Sequence, residues 1–561
     1  MPDRGPWARE RWDRVIDLGQ GGSEAYTRWA ERFECPVVPL NSMRTGLAEF
    51  ERIRAFMQCG AGRLCDQEGV DWWEMIAIML HDKIDLVGVL RRFANSLEPT
   101  AQIHVTRGGF CATALSLMRD ISVNEYPRSN SGLLRSVAHY WNIARKFPLP
   151  QLFEIASDKY DPVYSVRRIF ARKRGGSGRP VVVLPSAYVN VSRLELAYAT
   201  MLPETEFLLV TTRRSGRMSC HPTNVATVGI AAYVSHRKTT EDEYGELLER
   251  WDRLWPELEV DPDIALLMRM GFFESFRTRL HQGLIVRDAW RALFESEKVS
   301  GVLCGDDSNP ITHIPVLLAR HRNIPAIVSH HGALDGRHLI KQNHADVILA
   351  KGKMEEDYLL RVCGVAQKNV EIGAPAVPQV AWHVPKSRAL IVYFSESYEV
   401  LSGRTVEFYR DVLPRLANLS LRLGRRLVIK LHPAESRKER VGLVKRTLSP
   451  AQLDVTTVIE GPLTQGLLDE TWFGVTVLSS AAVNCAERAI PCFFCRWLEY
   501  WPYGYIDQFE RFGVGRALES PEEIVEIPRL LQTYSSYPEG HRSLWEPIAS
   551  ERLRILLGQE R

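Results

Sequence analysis

What most constrains this chain is a series of short, almost wholly apolar runs separated by longer amphipathic stretches. IHVT at 103–106, VVVL at 181–184, FLLV at 207–210, GVLC at 301–304, AIVS at 326–329 and DVILA at 346–350 form one set. LIVYF at 390–394, LVIKL at 427–431, DVTTVI at 454–459, GVTVL at 474–478 and PCFF at 491–494 form another. Runs this short do not make helices, and runs this apolar do not make strands with one wet face. Each suits the centre of a parallel sheet covered on both sides, and their alternation with helical stretches specifies α/β layering. A length of 561 residues, 45% of them hydrophobic, supports several domains with ample cores. The Pro-bearing segment 374–388 separates the two sets, which predicts an N-terminal domain over 1–380 and a C-terminal domain over 381–561.

Helical periodicity fills the gaps. Trp73, Ile76, Leu80, Ile84, Val87, Ala94 and Leu97 recur at helical spacing, so 71–98 is expected as one long amphipathic helix. Another is expected over 404–423, kinked or started late by Pro414 and closed by Gly424 as its C-cap. RSLWEPIASERLRILL at 542–557 reads as an amphipathic terminal helix.

Composition removes several function classes. With 71 Lys and Arg against 68 Asp and Glu, the net charge of +3 offers no footprint for nucleic acid. RRIFARKRGGSGRP at 167–180 does gather six basic residues around a Gly-Gly-Ser-Gly turn. It reads as a solvated linker, with attraction to anionic lipid or a phosphorylated acceptor as the alternative. No apolar run reaches the roughly 18–20 residues that span a bilayer, and MPDRGPWARERWDR lacks an apolar signal core. A cytoplasmic protein is expected, with any membrane contact peripheral and at the inner face. The ten cysteines lie mostly in apolar segments, as in a reducing compartment, and Cys492 and Cys495 read as buried strand residues rather than zinc ligands. VIDLGQGG at 15–22 lacks the spacing of a dinucleotide fingerprint.

Ligands of an open parallel sheet bind beyond the carboxyl ends of its strands. Three such ends in the C-terminal set carry chemistry: Ser395-Glu396-Ser397 after LIVYF, His432-Pro433 with Lys430 just before it after LVIKL, and Ser479-Ser480 after GVTVL. The serine pair opens a helix expected to run through Asn484 to Arg488. Hydroxyls and free backbone N–H groups at a helix start make a phosphate seat, and a histidine at the neighbouring strand end can hydrogen-bond the same phosphate as it leaves.

This order of strand, His-Pro, strand, Ser-Ser, helix and Pro-led strand resembles the donor-binding domain of GT-B glycosyltransferases, in particular the bacterial capsule, sialic-acid, Kdo and teichoic-acid groups. KLHP at 430–433, the serines at 479–480 and the run to Pro491 carry the likeness. Many GT-B proteins hold the nucleotide ribose with a Glu where this chain has Asn484; the resemblance therefore implies Asn484 as the ribose partner, with Glu487 as its substitute. VLCGDDSNP at 302–310, IPAIVSHHGALDG at 324–336, HADVILAKGKMEEDYLLRVCGV at 344–365 and EIGAP at 371–375 resemble the end of the N-terminal domain in teichoic-acid polymerases. The likeness covers roughly 300–500, and the first 300 residues carry no motif that extends it.

His330 and His331 follow AIVS at a strand end, where an imidazole of near-neutral pKa suits a general base. His331 is the first candidate, and Asp306 or Asp307 after GVLC is the rival, with Asp307 preferred. The spacing of His338 and His344 does not suggest a metal site, so metal-independent chemistry without a cofactor is expected. Trp497, Tyr500, Trp501, Tyr503 and Tyr505 should wedge against neighbouring helices, with stacking on an acceptor as the alternative. The expected fold is two Rossmann-like domains facing a cleft. The expected activity is transfer of a sugar from a nucleotide-sugar donor to a hydroxyl of a surface-glycan or lipid-linked acceptor. The donor-binding set is Lys430, His432, Ser479, Ser480, Asn484, Ser395 and Glu396. Two alternatives stand beside it: a UDP-sugar 2-epimerase-like enzyme, against which HHGALDGRH at 330–338 lacks the expected acidic and arginine signature, and a non-catalytic glycan-binding scaffold.

Overall fold

The structure, a computed structural model, describes residues 15–17, 30–31, 34–39, 47–98, 103–105, 110–118, 123–125, 161, 163–173, 178–213, 216–218, 220–235, 238–376, 388–396, 405–432, 435–499, 503–533 and 544–559. The chain divides into two compact units. One comprises Glu51–Pro378 with Trp545–Arg561, the other Gln379–Leu544 with Met1–Phe50.

The first unit is built on a seven-stranded sheet: β1 (Val181–Ser186), β2 (Phe207–Thr211), β3 (Val225–Gly229), β4 (Val299–Cys304), β5 (Ala326–Ser329), β6 (Val347–Ala350) and β7 (Val370–Ile372). Its spatial order is 7-6-5-4-1-2-3, with every neighbouring pair parallel. The order reverses between β1 and β4, so the loops leaving those two strands open away from one another and make a crevice at the carboxyl edge. Central strands match the apolar runs because both their faces are covered; Val182, Val183, Leu184, Leu208 and Leu209 are all fully buried. IHVT departs from expectation, since Ile103–Val105 pairs only with Val123–Glu125 in a separate two-stranded sheet. The predicted helix over 71–98 runs from Trp72 to Asn95, started by Asp71, whose carboxylate accepts from the Trp73 N–H at 3.0 Å.

The second unit carries β8 (Leu390–Phe394), β9 (Arg426–Lys430), β10 (Thr456–Ile459), β11 (Thr471–Thr476), β12 (Cys492–Cys495) and β13 (Arg516–Leu518) in the order 10-9-8-11-12-13, again all parallel. Its reversal lies between β8 and β11. Cys492 and Cys495 are buried strand residues, and every cysteine is free. The helix Thr405–Leu423 continues through Pro414 without the expected late start. Gly424 closes it at φ 60°, and the Arg425 N–H reaches back to the Ser420 carbonyl at 2.9 Å. Two parallel sheets with helices between their strands make the chain an α/β protein of two Rossmann-like units.

The terminal helix, Ser550–Leu556, belongs with the first unit rather than with the C-terminal sheet that precedes it in sequence. Leu553 and Leu557 are fully buried among Val182, Leu184, Tyr198 and Leu303, and the Trp545 indole donates to the Pro375 carbonyl at 3.0 Å. An apolar helix face at the end of the chain has to be buried somewhere, and here it completes the core of the earlier sheet. Among the described residues, no helix is long and apolar enough to cross a membrane.

Candidate functional site

In the second unit, the carboxyl edge is held together by two acidic side chains. Glu396, just past β8, is buried, and one of its oxygens accepts from the Thr476 hydroxyl at 2.9 Å and the Leu478 N–H at 2.7 Å. It thereby ties the loop after β8 to the loop after β11, the two sides of the reversal point. Glu435 makes the other tie. It accepts from the Ser395 hydroxyl at 2.9 Å, the His432 N–H at 2.8 Å and the Arg440 Nε at 2.7 Å. Burial pushes the Glu435 carboxyl up, while these donors and the Arg440 charge work against it.

Around this frame stand the residues singled out in the sequence. Ser395 is buried and His432 half-buried. The Lys430 ammonium donates to the carbonyls of Leu431 and Gly461, both at 2.7 Å. Two of its three donors therefore clasp neighbouring loops rather than face outward, and burial pushes its pKa down. The Ser479 hydroxyl accepts from the Ala481 N–H at 3.3 Å, while Ser480 is exposed at the start of a helix that spans only Ala481–Ala486. The helix is shorter than the expected run to Arg488, so its dipole is small and the donors available to a ligand are local ones. The Asn484 carbonyl accepts from Arg488, which also ion-pairs with Glu487 at 3.7 Å, and burial pushes the Glu487 carboxyl up. Ser397 and Pro433 lie outside the described residues, as do Tyr500 and Trp501.

In the first unit the reversal point is more densely ionised. The Tyr188 hydroxyl, just beyond β1, donates to Asp306, just beyond β4. Asp306 also accepts from the Ser308 N–H at 3.0 Å, and burial pushes its pKa up against the pull of His331. Asp307 points elsewhere. It accepts from the Lys341 ammonium at 2.5 Å, with His313 Nδ1 at 3.7 Å from its other oxygen. Burial alone would raise the Asp307 carboxyl, but Lys341, His338 and His313 hold it below the carboxylate range.

Beyond β5, His330 Nδ1 accepts from the Gly332 N–H at 3.1 Å, which places its proton on Nε2, 3.8 Å from Asp335. His331 is half-buried, packs edge-on against the Tyr188 ring at 5.5 Å, and its Nδ1 has no hydrogen-bond partner. Burial pushes both imidazoles down, so His331 is neutral at physiological pH and has a lone pair to offer. Asp307, Asp335 and His338 offer ligand atoms within 4.8 Å of one another, the geometry of a small cation site. The Lys341 ammonium already supplies a positive charge there, bonded to Asp307 and 3.4 Å from the Ser308 hydroxyl.

The structure thus gathers Ser395, Glu396, Lys430, His432, Ser479 and Ser480 along one carboxyl edge, and Asp306, Asp307, His330 and His331 along another. Sequence reasoning missed Glu435, Tyr188 and Lys341. Glu435 had a local signal, standing three residues past His432; the other two reach their partners from distant parts of the chain.

No protein-family model matches the chain, and no curated relative matches it. Among solved structures it is similar to the S. aureus MnaA-UDP co-structure, at 13% identity and a TM-score of 0.43 over 68% of this chain and 98% of that one. It is similar also to the Methanocaldococcus jannaschii UDP-GlcNAc 2-epimerase in complex with UDP-GlcNAc and UDP, at 10% identity and TM-score 0.41 over 67% and 99%. The spinosyn rhamnosyltransferase SpnG complexed with thymidine diphosphate gives 16% identity and TM-score 0.38 over 68% and 96%.

Proposed function

We propose that the chain is a glycosyltransferase that moves a sugar from a nucleotide-sugar donor to a hydroxyl of a surface-glycan or lipid-linked acceptor. The observation that carries the reading is the convergence of Ser395, His432, Ser479 and Ser480 on one carboxyl edge at a sheet reversal, where α/β sheets bind ligands. The hydroxyl and N–H of Ser480 and the His432 imidazole hold the donor phosphates, with Asn484 toward the ribose. Glu396 and Glu435 fix the loops that present them and do not themselves meet the ligand. In the first unit, His331 takes the proton of the acceptor hydroxyl, whose oxygen then bonds to the anomeric carbon as the phosphate departs with the electrons of the broken bond. Asp306 faces the imidazolium that forms and favours it. Asp307 is the poorer base, since its carboxylate is committed to Lys341 and holds a proton weakly.

A thermal-shift screen of CMP, CDP, UDP, GDP and their sugars tests the donor half. A bound nucleotide at about 100 times its dissociation constant stabilises by about 2.7 kcal/mol. His432→Ala, and Ser479→Ala combined with Ser480→Ala, should each weaken that nucleotide by about 1.5–3 kcal/mol while leaving the fold intact. Unaltered affinity in both variants refutes the phosphate seat. Release of an epimerised sugar without any acceptor refutes transfer in favour of an epimerase, and a chain that no nucleotide stabilises is a scaffold.

A further inference from the structure

We propose that segment 166–173 of the first unit docks the protein on an anionic lipid bilayer. Seven large hydrophobic residues are exposed among the described residues, and three of them, Val166, Ile169 and Phe170, fall in this one segment. Ile169 and Phe170 are 72% and 73% exposed, on a short helix, Arg167–Phe170. Apolar side chains exposed to this degree cost free energy in water.

What surrounds them names the cover. Arg168, Arg172 and Lys173 are exposed beside the dyad, and no Asp or Glu occurs anywhere in 162–194. Arg168 and Arg172 make no ion pair among the described residues. Arg167, by contrast, is held down: it lies 3.5 Å from the Asp161 carboxylate and over the Tyr164 ring at 4.3 Å. Tyr164 is itself buried, and its hydroxyl donates to the Thr212 carbonyl at 3.0 Å, at the end of β2. The segment is therefore pinned to the sheet at its base, with an apolar tip and a cationic collar. An apolar tip inserted among acyl chains with cations at headgroup level is the geometry of interfacial binding. A polynucleotide or a phosphorylated glycan would use the collar and leave Ile169 and Phe170 in water, which is why the bilayer is favoured over either.

The test uses the full chain and co-sedimentation with vesicles of phosphatidylcholine alone or mixed with phosphatidylserine. Binding is expected only to the mixed vesicles and should weaken as salt is raised. Ile169→Asp with Phe170→Asp should reduce it by roughly tenfold or more. Replacing Arg168 and Arg172 with Ser should lower it by about fivefold for each charge removed. Neither pair lies in the site described above, so nucleotide-induced stabilisation should be unchanged, and failure here is separable from failure of the transferase reading. The proposal is overturned if the chain ignores phosphatidylserine vesicles at low salt, if either double variant binds as well as the parent, or if an RNA or polyphosphate is bound through the collar while vesicles are not.

Discussion

Replacing Lys341 with Met should be the most damaging single change near the candidate base. The ammonium has no exposed side-chain surface, its partner Asp307 has 2%, and they meet at 2.5 Å. Met preserves the stem and removes the charge, which leaves the buried Asp307 carboxylate to the imidazoles of His313, His338 and His344. Breaking one side of such a pair costs about 3–5 kcal/mol, most of it the penalty on the carboxylate left behind. Urea unfolding monitored at neutral pH should therefore show a loss of that size. Asp307→Asn added to Lys341→Met should recover most of it, because the carboxylate bonded directly to the ammonium is gone as well and Asp335 keeps Arg337, His330 and His338 beside it. The pH dependence follows from the direction of the shift. The folded-state pKa of Asp307 is depressed and that of Lys341 raised, so in the parent the pair stabilises from above the ordinary carboxylate range up to strongly alkaline pH, and on the acid side it is lost as pH falls through the depressed value. In the variant the same carboxyl is driven upward, and protonation relieves it, so the gap between parent and variant should narrow in acid. A loss below about 1 kcal/mol, or a double variant as unstable as the single one, refutes the claim that Asp307 is desolvated and tied to Lys341.

His331→Ala should lower kcat for transfer by about 10²–10⁴-fold and leave nucleotide affinity unchanged; full activity in this variant removes it as the base. Because burial holds the His331 pKa below 6.5, transfer should be flat above that pH and fall only as pH drops through the lowered value, a profile that initial rates would reveal. Leu553→Ala should destabilise the first unit by about 2–5 kcal/mol in urea, although it lies on the last helix of the chain. Gly283→Ala should cost about 1–3 kcal/mol, since a Cβ there collides with the Trp72 ring.

The parts of the fold legible in the sequence are those covered on both faces. LIVYF and AIVS were bounded to the residue because, Leu390 apart, every residue along them is buried. Val225–Gly229, Val370–Ile372 and Arg516–Leu518 went unseen because they are edge strands, with mixed burial and no continuous apolar run to mark them. In the candidate site, strand-end reasoning located His432, Ser479 and His331, since the end of an apolar run can be read along the chain. It could not show that Lys430 would spend its donors on Leu431 and Gly461, nor that Lys341 would commit Asp307 from 34 residues away. Those outcomes depend on which loops the sheet order brings side by side, and strand order is not written in local pattern.

The return of Ser550–Leu556 to the first unit makes synthesis order matter. Ribosomes release that sheet before the second unit, yet the pocket that Leu553 and Leu557 fill stays open until the second unit has emerged as well. During that interval the nascent protein carries an unfilled apolar slot beside Val182 and Leu184, a natural target for holding chaperones. A division of the gene at the boundary between the two strand series would separate the slot from its plug, and the fragments would regain a complete first core only by finding one another.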